Sequence, residues 1–468
     1  MAVPGHNRRV KRWFGALIAV VIACVPIVLQ RAVSSDLLQD TDTKVLLATI
    51  RQRNAPLSWF TGDWPLQNHF YRPMSTLSFE LDNRLYGSNA VGYGWTNALL
   101  CVACVLLLFW FLRELTDRPA ISALGAVLFA IQHVGFDRFL DGPITALAIL
   151  AALIGAVRYR FKVRMWLPPA LVLLYAAEEV CSPIGFGDKT IAWLPGRTAT
   201  VMTVFALIAM AAYARYERLS AQRIELEPKA TDAPATRMTR AAVPSHRSGL
   251  PWAILSLGAL ALALASYEQA VMLPAVLLAV AVTLRCERFR VRWGWQIGFW
   301  GLLVAYVFLR REIIPAGVSH YQAQQLRSGP GVRISLLAYL LPFANGFSGF
   351  LAVMESGPIM LMTSAPYMYL LNVTSTLTAF YQLRRRWIWA LAGYGMSIIA
   401  FLPMAWVKQF DHYNYWPMAL RSLFTVMLLV VGCDLALSAW SPPTRQAPPR
   451  PDPAPGSLPR RYTSNPAS

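Results

Sequence analysis

The chain has 468 residues, of which 56% are hydrophobic and 14% are charged, and its formal net charge is +19. A typical soluble domain has about 25% charged residues, so this composition argues against a soluble globular protein. Apolar runs long enough to cross a ~30 Å hydrocarbon layer recur along nearly the whole chain. The composition therefore predicts an all-α, polytopic integral membrane protein.

The excess of positive charge is explained by membrane topology, and we expect no nucleic-acid partner. Basic residues form clusters that begin or end apolar runs, as the positive-inside rule expects of cytoplasmic loops. The clusters lie at Arg8 to Arg12, Arg158 to Arg164, Arg215 to Arg223, Arg285 to Arg292 and Arg384 to Arg386.

The apolar runs between these clusters predict about twelve transmembrane helices with both termini in the cytoplasm of a bacterial-type inner membrane. The predicted spans are 13–30, 96–112, 120–134, 143–157, 165–178, 198–214, 251–266, 270–284, 295–310, 359–381, 387–404 and 417–438. Segment 334–355 is also apolar, but Pro342 and three polar or glycine residues interrupt it. We interpret this segment as interfacial or re-entrant.

The predicted organisation is one membrane domain over 1–440, followed by a disordered, Pro-rich tail over 441–468. Within the domain, 31–95 forms the first outward loop, and 215–249 forms a flexible cytoplasmic loop.

The first outward loop begins with two acids, Asp40 and Asp42, which are separated by Thr41. They precede Lys44 and a stretch rich in aromatic residues. Two acids in this position are typical of a solvated loop, and they are also candidates for an outward-facing site.

The same loop ends in the sequence NHFYRP over 68–73, which includes His69, Tyr71 and Arg72. Pro73 can begin a helix, while the residue before a proline is biased towards the extended conformation. Arg72 would then lie at the membrane surface, where a guanidinium can bind a phosphate through two parallel hydrogen bonds. The alternative is an arginine that anchors the chain to lipid headgroups.

Two further outward segments carry ionisable residues at the ends of apolar runs. Glu268 lies in a tight turn, where a carboxylate is costly unless it is solvated or paired. Arg310 and Arg311 belong to an outward loop with four arginines, against the positive-inside bias. An anionic lipid phosphate is the expected partner of this loop, and ordinary headgroup anchoring is the alternative.

These motifs resemble the lipid-phosphosugar glycosyltransferases with a GT-C membrane fold. Within that class, the motifs resemble the membrane parts of the transmembrane-and-tetratricopeptide-repeat O-mannosyltransferases and their repeat-less bacterial relatives. The first loop of that family has an acidic pair, normally adjacent, followed by an aromatic-rich stretch and a Tyr-Arg-Pro return like 71–73. A Ser-Lys-Glu motif corresponds to 266–268, where Tyr267 replaces the lysine.

Two other family motifs match less closely. The segment from Asp188 to Arg197 resembles the second conserved loop, and Asp137, which follows FAIQH at 129–133, is a competing match to the opening of that loop. The last-loop motif corresponds to 412–417, where His412 replaces an arginine and would carry a weaker, pH-dependent charge.

The resemblance implies transfer of a sugar, such as mannose, from a polyprenyl phosphate to a protein, lipid or glycan acceptor on the outward face. Asp40 or Asp42 would deprotonate the acceptor hydroxyl. The residues implied to bind the donor phosphate are His69, Tyr71, Arg72, Arg310 and Arg311. The residues implied to support the site are Asp137, Asp188, Arg197, Glu268 and His412. If a divalent cation such as Mg²⁺ or Mn²⁺ takes part, its ligands would be Asp40, Asp42 and Asp188.

Two other functions remain open. A transporter or a flippase of lipid-linked saccharides should place charges near the bilayer midplane and show repeat symmetry. Here the ionisable residues concentrate at loop ends, which favours an enzyme. The altered acidic-pair and Lys-Glu motifs also fit a non-catalytic relative that serves as a scaffold.

Overall fold

The computed structural model describes residues 4–133, 167–173, 175–176, 187–226, 249–284, 293–340, 374, 376–383, 388–408 and 410–440. These residues are mostly helical, which confirms the all-α prediction. The main helices are Pro4–Ala23, Val25–Leu29, Thr41–Arg53, Pro73–Tyr86, Ala90–Thr116, Pro119–Gln132, Arg197–Leu226, Leu250–Leu264, Leu273–Leu284, Trp293–Ile313, Gly329–Leu340, Ile388–Phe401 and Tyr415–Trp440. The predicted span 143–157, most of 359–381 and the tail 441–468 lie outside the described residues.

Four described segments are long and apolar enough to cross a membrane. They are Val10–Leu29, Ala90–Thr116, Arg197–Ser220 and Asp411–Ala439, and each coincides with a predicted span. Shorter apolar helices coincide with four more predicted spans, at Pro119–Gln132, Leu250–Leu264, Glu268–Leu284 and Leu391–Trp406.

The helix Trp293–Ile313 presents an apolar face that no described residue covers. Trp293, Ile297, Trp300 and Val304 recur at helical spacing and are all exposed. Monomeric soluble proteins rarely expose so continuous an apolar face, which is typical of lipid contact.

Small residues allow the long helices to pack closely around one core. Ala206 and Ala209, on the helix Arg197–Leu226, are fully buried where this helix meets its neighbours. Gly393 lies so close to the last helix that an added Cβ would be 3.0 Å from Leu423. Such close approach replaces the hydrophobic driving force that lipid-embedded helices lack.

The first loop, predicted to face outward and to carry the site, folds around a second and smaller core. This core is built from the buried side chains Leu37, Leu46, Leu47, Ile50, Trp59, Trp64, Phe79, Ala90, Tyr93 and Leu194. The helix Thr41–Arg53 begins where Asp40 accepts a hydrogen bond from the Thr43 amide at 3.2 Å, and ends at Asn54, which has φ 41°. An N-terminal Asp cap and a left-handed C-terminal residue are favourable helix ends.

The second helix of this loop begins at Pro73, as predicted. Proline suits the first helical position because its missing N–H would have no partner there. Arg72 has φ −135° and ψ 50°, so it is not helical, but its ψ is well below that of the predicted extended conformation. Its carbonyl accepts hydrogen bonds from both the Thr76 amide and the Thr76 hydroxyl at 3.0 Å.

Candidate functional site

The start of the helix Pro73–Tyr86 docks against the turn that follows Leu250–Leu264. The Met74 amide donates to the Ala265 carbonyl at 2.9 Å, and the Ser75 hydroxyl donates to the Ser266 carbonyl at 2.8 Å. These bonds satisfy groups that helix ends leave without intrahelical partners. The docking places Arg72 beside Glu268.

Arg72 and Glu268 form a largely buried ion pair. The Arg72 Nη2 atom lies 2.6 Å and its Nε atom 2.8 Å from Glu268 Oε2, with side chains only 13% and 21% exposed. Three aromatic rings surround the guanidinium, with centroids at 4.1 Å for Phe70, 4.6 Å for Tyr267 and 5.4 Å for Trp64. Aromatic faces attract cations, so the cage adds to the stabilisation of the arginine.

Asp40 reaches the same region through Trp193. Its Oδ2 atom accepts hydrogen bonds from the Trp193 indole at 3.2 Å and from the Thr43 hydroxyl at 3.3 Å. This carboxylate oxygen therefore fixes the helix Thr41–Arg53 and the 191–196 turn relative to each other.

His412 lies between Trp193 and Tyr267. Its ring centroid is 5.3 Å from Trp193 and 6.5 Å from Tyr267, and its side chain is buried. Within the described residues its Nδ1 atom has no hydrogen-bond partner. We call Asp40, Trp193, His412, Tyr267, Arg72 and Glu268 the polar–aromatic cluster.

Asp42 lies two residues after Asp40, in the first turn of the helix Thr41–Arg53. Its side chain is exposed, but partial desolvation, followed by the charge of Asp40, raises the pKa of the Asp42 carboxyl above its usual value. The pKa of the Tyr321 hydroxyl is raised, chiefly by burial, with Arg72 lowering it and Asp42 raising it.

The other residues predicted to bind phosphate have more structural roles. The His69 carbonyl accepts hydrogen bonds from Arg310 Nη2 at 3.2 Å and from Gln322 at 3.1 Å, so Arg310 ties two loops together. Tyr71 is buried and donates to the Phe60 carbonyl at 3.2 Å. Arg311 is exposed.

Arg197, predicted to support the site, is fully buried within the fold. It pairs with Asp82 at 2.7 Å and donates to the Asn97 side-chain oxygen at 2.6 Å. The Asn97 amide in turn donates to the Ile191 carbonyl at 3.0 Å. Through Asn97, Arg197 is linked to the turn that carries Trp193, and its role in supporting the site stays a prediction.

The remaining predicted residues cannot be placed in the cluster. Asp137 and the side chain of Asp188 lie outside the described part of the chain. His133, from the competing motif, is hydrogen-bonded to the Tyr415 hydroxyl of another helix and to the Phe129 carbonyl of its own helix. Among the described side chains, which do not include Asp188, no three or more His, Cys, Asp or Glu residues form a group that could hold a metal ion.

Several residues of the site were not predicted from the sequence. Tyr267 was noted only for the lysine it replaces, and Phe70 and Trp64 only as part of an aromatic-rich loop. Aromatic residues beside a predicted phosphate-binding arginine are a usable signal, because cation–π contacts with Arg are common. Neighbouring residues in the sequence gave no indication of the roles of Asp82 and Asn97, because both contact Arg197, about 100 residues away in the chain.

Together the fold and the site define an all-helical protein with membrane-length apolar helices and a charged, aromatic-lined cluster near their ends. Comparison of the chain with protein-family models, with curated proteins and with solved structures finds no match. The function is therefore inferred from the residues of the cluster.

Proposed function

We propose that this chain is a polytopic membrane glycosyltransferase of the GT-C type. It would have twelve spans, with both termini in the cytoplasm of a bacterial-type inner membrane. It would move a sugar, with mannose as the first candidate, from a polyprenyl phosphate to a protein, lipid or glycan acceptor on the outward face. Its cluster would bind the donor where the lipid headgroups begin.

The observation that carries the proposal is the convergence of the cluster. Its members come from five distant chain segments: Asp40, Arg72, Trp193, the turn at 267–268 and His412. A carboxylate, a buried arginine and an aromatic lining are the groups that sugar transfer from a phosphate needs. Structural packing alone gives no reason to collect them beside apolar helices.

In the proposed reaction, Asp42 is the general base. A general base is most effective when its pKa lies near the working pH, and the raised pKa of Asp42 moves it in that direction. The acceptor hydroxyl gives its proton to Asp42 as its oxygen bonds to the anomeric carbon. Asp40, already engaged by Thr43 and Trp193, positions the segment and raises the basicity of Asp42.

Arg72 stabilises the leaving group. The bond between the anomeric carbon and the phosphate oxygen breaks, and its electron pair leaves with the polyprenyl phosphate. A guanidinium already fixed by Glu268 and three rings meets this developing charge with little reorganisation. The phosphate and Glu268 would both be bound to Arg72.

The test is turnover by the purified chain in nanodiscs with a radiolabelled polyprenyl-phosphate sugar, together with mass spectrometry of glycans from deletion and complemented strains. We expect release of polyprenyl phosphate and a glycan that is lost on deletion. Transbilayer movement of the intact donor without release would identify a flippase instead. Restoration of the glycan in the deletion strain by a chain that releases no polyprenyl phosphate in nanodiscs would identify a scaffold.

A further inference from the structure

Three arginines converge on one buried carboxylate where two long apolar helices pack together. The Glu114 side chain is only 1% exposed, and its oxygens lie 2.8 Å from Arg113 Nη2, 3.5 Å from Arg215 Nη1 and 3.7 Å from Arg218 Nη1. The Asp117 carboxylate lies 3.2 Å from the Nη2 atom of Arg218. We call these five residues the arginine cluster.

Arg218 has a structural role in this cluster. Its Nη1 atom donates to the carbonyls of Arg113 at 3.2 Å and of Glu114 at 3.4 Å, in the last turn of the helix Ala90–Thr116. The last carbonyls of a helix lack intrahelical partners, and the helix dipole favours a cation there. Because Arg218 also pairs with Asp117, it is engaged within the protein.

Arg113 and Arg215 are placed differently, because both are open to the surroundings. Their side chains are 43% and 39% exposed, and they share the single carboxylate of Glu114. Two neighbouring guanidinium groups repel each other, and one carboxylate offsets only one of the two charges. A second anion that arrives from outside would relieve this repulsion. The positive-inside rule explains why arginines lie on this side of the membrane, but not why they converge on a buried acid.

Apolar side chains adjoin the arginine cluster. The Arg113 guanidinium lies 5.8 Å from the ring centroid of Trp13, which packs edge-on against Phe109 at 6.1 Å. Farther along the helix of Trp13, Phe14 and Leu17 are 64% and 40% exposed. Tryptophan is enriched where lipid headgroups meet the hydrocarbon layer. An anion bound at Arg113 would therefore have an apolar surface beside it.

We propose that the arginine cluster binds the headgroup of an anionic phospholipid. The lipid phosphate would accept hydrogen bonds from Arg113 and Arg215, and the acyl chains would lie along the exposed face of the helix Pro4–Ala23. Basic pockets between membrane helices are typical sites for anionic headgroups.

This lipid site is separate from the polar–aromatic cluster. Trp193 comes just before the helix Arg197–Leu226, and Arg215 lies ~27 Å along that helix from Arg197, at about 1.5 Å per residue. This distance approaches the ~30 Å thickness of the hydrocarbon layer. The proposal therefore does not depend on sugar transfer, and the lipid would bind at the opposite membrane face.

The experiment measures lipid retention by native mass spectrometry of the full-length chain in a non-ionic detergent. Phosphatidylglycerol is the probe, and phosphatidylcholine, inorganic phosphate and an acidic peptide are the comparisons. The Arg113→Gln, Arg215→Gln double variant removes both exposed guanidinium groups. The matched control is Lys44→Gln, Arg84→Gln, because it removes two exposed cations from the first loop.

We expect the wild type and the control to retain phosphatidylglycerol in preference to phosphatidylcholine. The loss of charge-assisted hydrogen bonds should weaken phosphatidylglycerol binding by Arg113→Gln, Arg215→Gln at least about tenfold. Asp117→Asn should instead bind this lipid more tightly, because it removes a competing carboxylate. Asn also tolerates the left-handed backbone of position 117, which has φ 54°.

Equal phosphatidylglycerol binding by Arg113→Gln, Arg215→Gln and the control overturns the inference. Binding of inorganic phosphate or of the acidic peptide in place of the lipid also overturns it. A thermal melt in lipid-free detergent shows whether the double variant is folded. If it is not, Asp117→Asn decides the matter, and unchanged or weaker phosphatidylglycerol binding by that variant overturns the inference.

Discussion

Arg72 and Glu268 are 196 positions apart in the chain, yet 2.6 Å separates Nη2 of one from Oε2 of the other. Both side chains are largely buried, and removing one partner of such a pair leaves a charge that is poorly solvated. The pair keeps the guanidinium in one orientation between Phe70 and Tyr267. An anion that reaches the cluster therefore meets a cation that is already positioned.

Arg72→Lys separates phosphate recognition from headgroup anchoring. An ammonium keeps the charge but lacks the planar fork that binds phosphate through two hydrogen bonds. If the substitution removes a charge-assisted hydrogen bond worth ~1.5–3 kcal/mol, activity should fall about ten- to a hundredfold. The loss should appear mainly as a change in how activity depends on donor concentration. The measurement is a donor titration in nanodiscs.

The matched control for this prediction is Arg84→Lys. Arg84 also pairs with a glutamate at 2.6 Å and lies on the adjoining helix, but its side chain is 50% exposed. The Arg84→Lys variant should give the same donor titration as the wild type. Equal donor titrations for Arg72→Lys and the wild type would contradict the prediction, leaving Arg72 as an anchor.

Asp42→Asn tests the general base. Its turnover should fall by about 10²–10⁴, the usual contribution of such a group, while expression stays normal. Asp36→Asn is the control, because Asp36 is an exposed acid of the same loop. Wild-type turnover by an Asp40→Asn, Asp42→Asn double variant would remove this loop from the catalytic site.

The pH profile separates the two acids. Asp42 must be deprotonated to act, and its pKa is raised first by burial and then by Asp40. Activity should therefore fall as the pH drops through that raised pKa. Asp40→Asn removes the second cause and should move this acidic limb to lower pH. If the acidic limb of the pH profile does not move in Asp40→Asn, a group other than Asp42 controls it.

Gly196→Ala tests the turn that holds Trp193. An added Cβ would meet the Lys189 carbonyl oxygen at 1.7 Å, so the backbone must shift. Overpacking of this kind typically costs about 1–3 kcal/mol, which should appear as a lower Tm in detergent. Gly258→Ala is the control, because nothing lies within 4 Å of its added Cβ. Equal Tm values would contradict the close approach.

Cysteine labelling tests the membrane orientation. Ser88→Cys and Ser328→Cys, both at exposed positions, should react with an impermeant reagent in intact cells. Asp117→Cys, in the predicted cytoplasmic turn, should be protected. The experiment needs a cysteine-free background, since Cys433 is exposed. Protection of both serine positions would overturn the assignment of the outward face.

Some of the site followed from local physical chemistry. Pro73 predicted a helix start because proline fits the first helical position, and the structure has it there. Glu268 was singled out because a carboxylate in a tight apolar turn needs a partner, and the structure supplies Arg72. Arg197 was placed at the site by motif alone, and its burial against Asp82 could not be foreseen from its neighbours.

By itself the sequence determined the helical class and the positions of the apolar helices in the described part of the chain. Hydrophobic runs, prolines and caps act within a few residues, so their effect can be predicted without knowing the fold. Only the tertiary structure decided that the first loop has its own core, that Arg310 bonds a backbone carbonyl, and that Tyr267 stacks on Arg72. The physical reason is that these contacts join distant segments, and which side chains meet depends on how all the helices pack together.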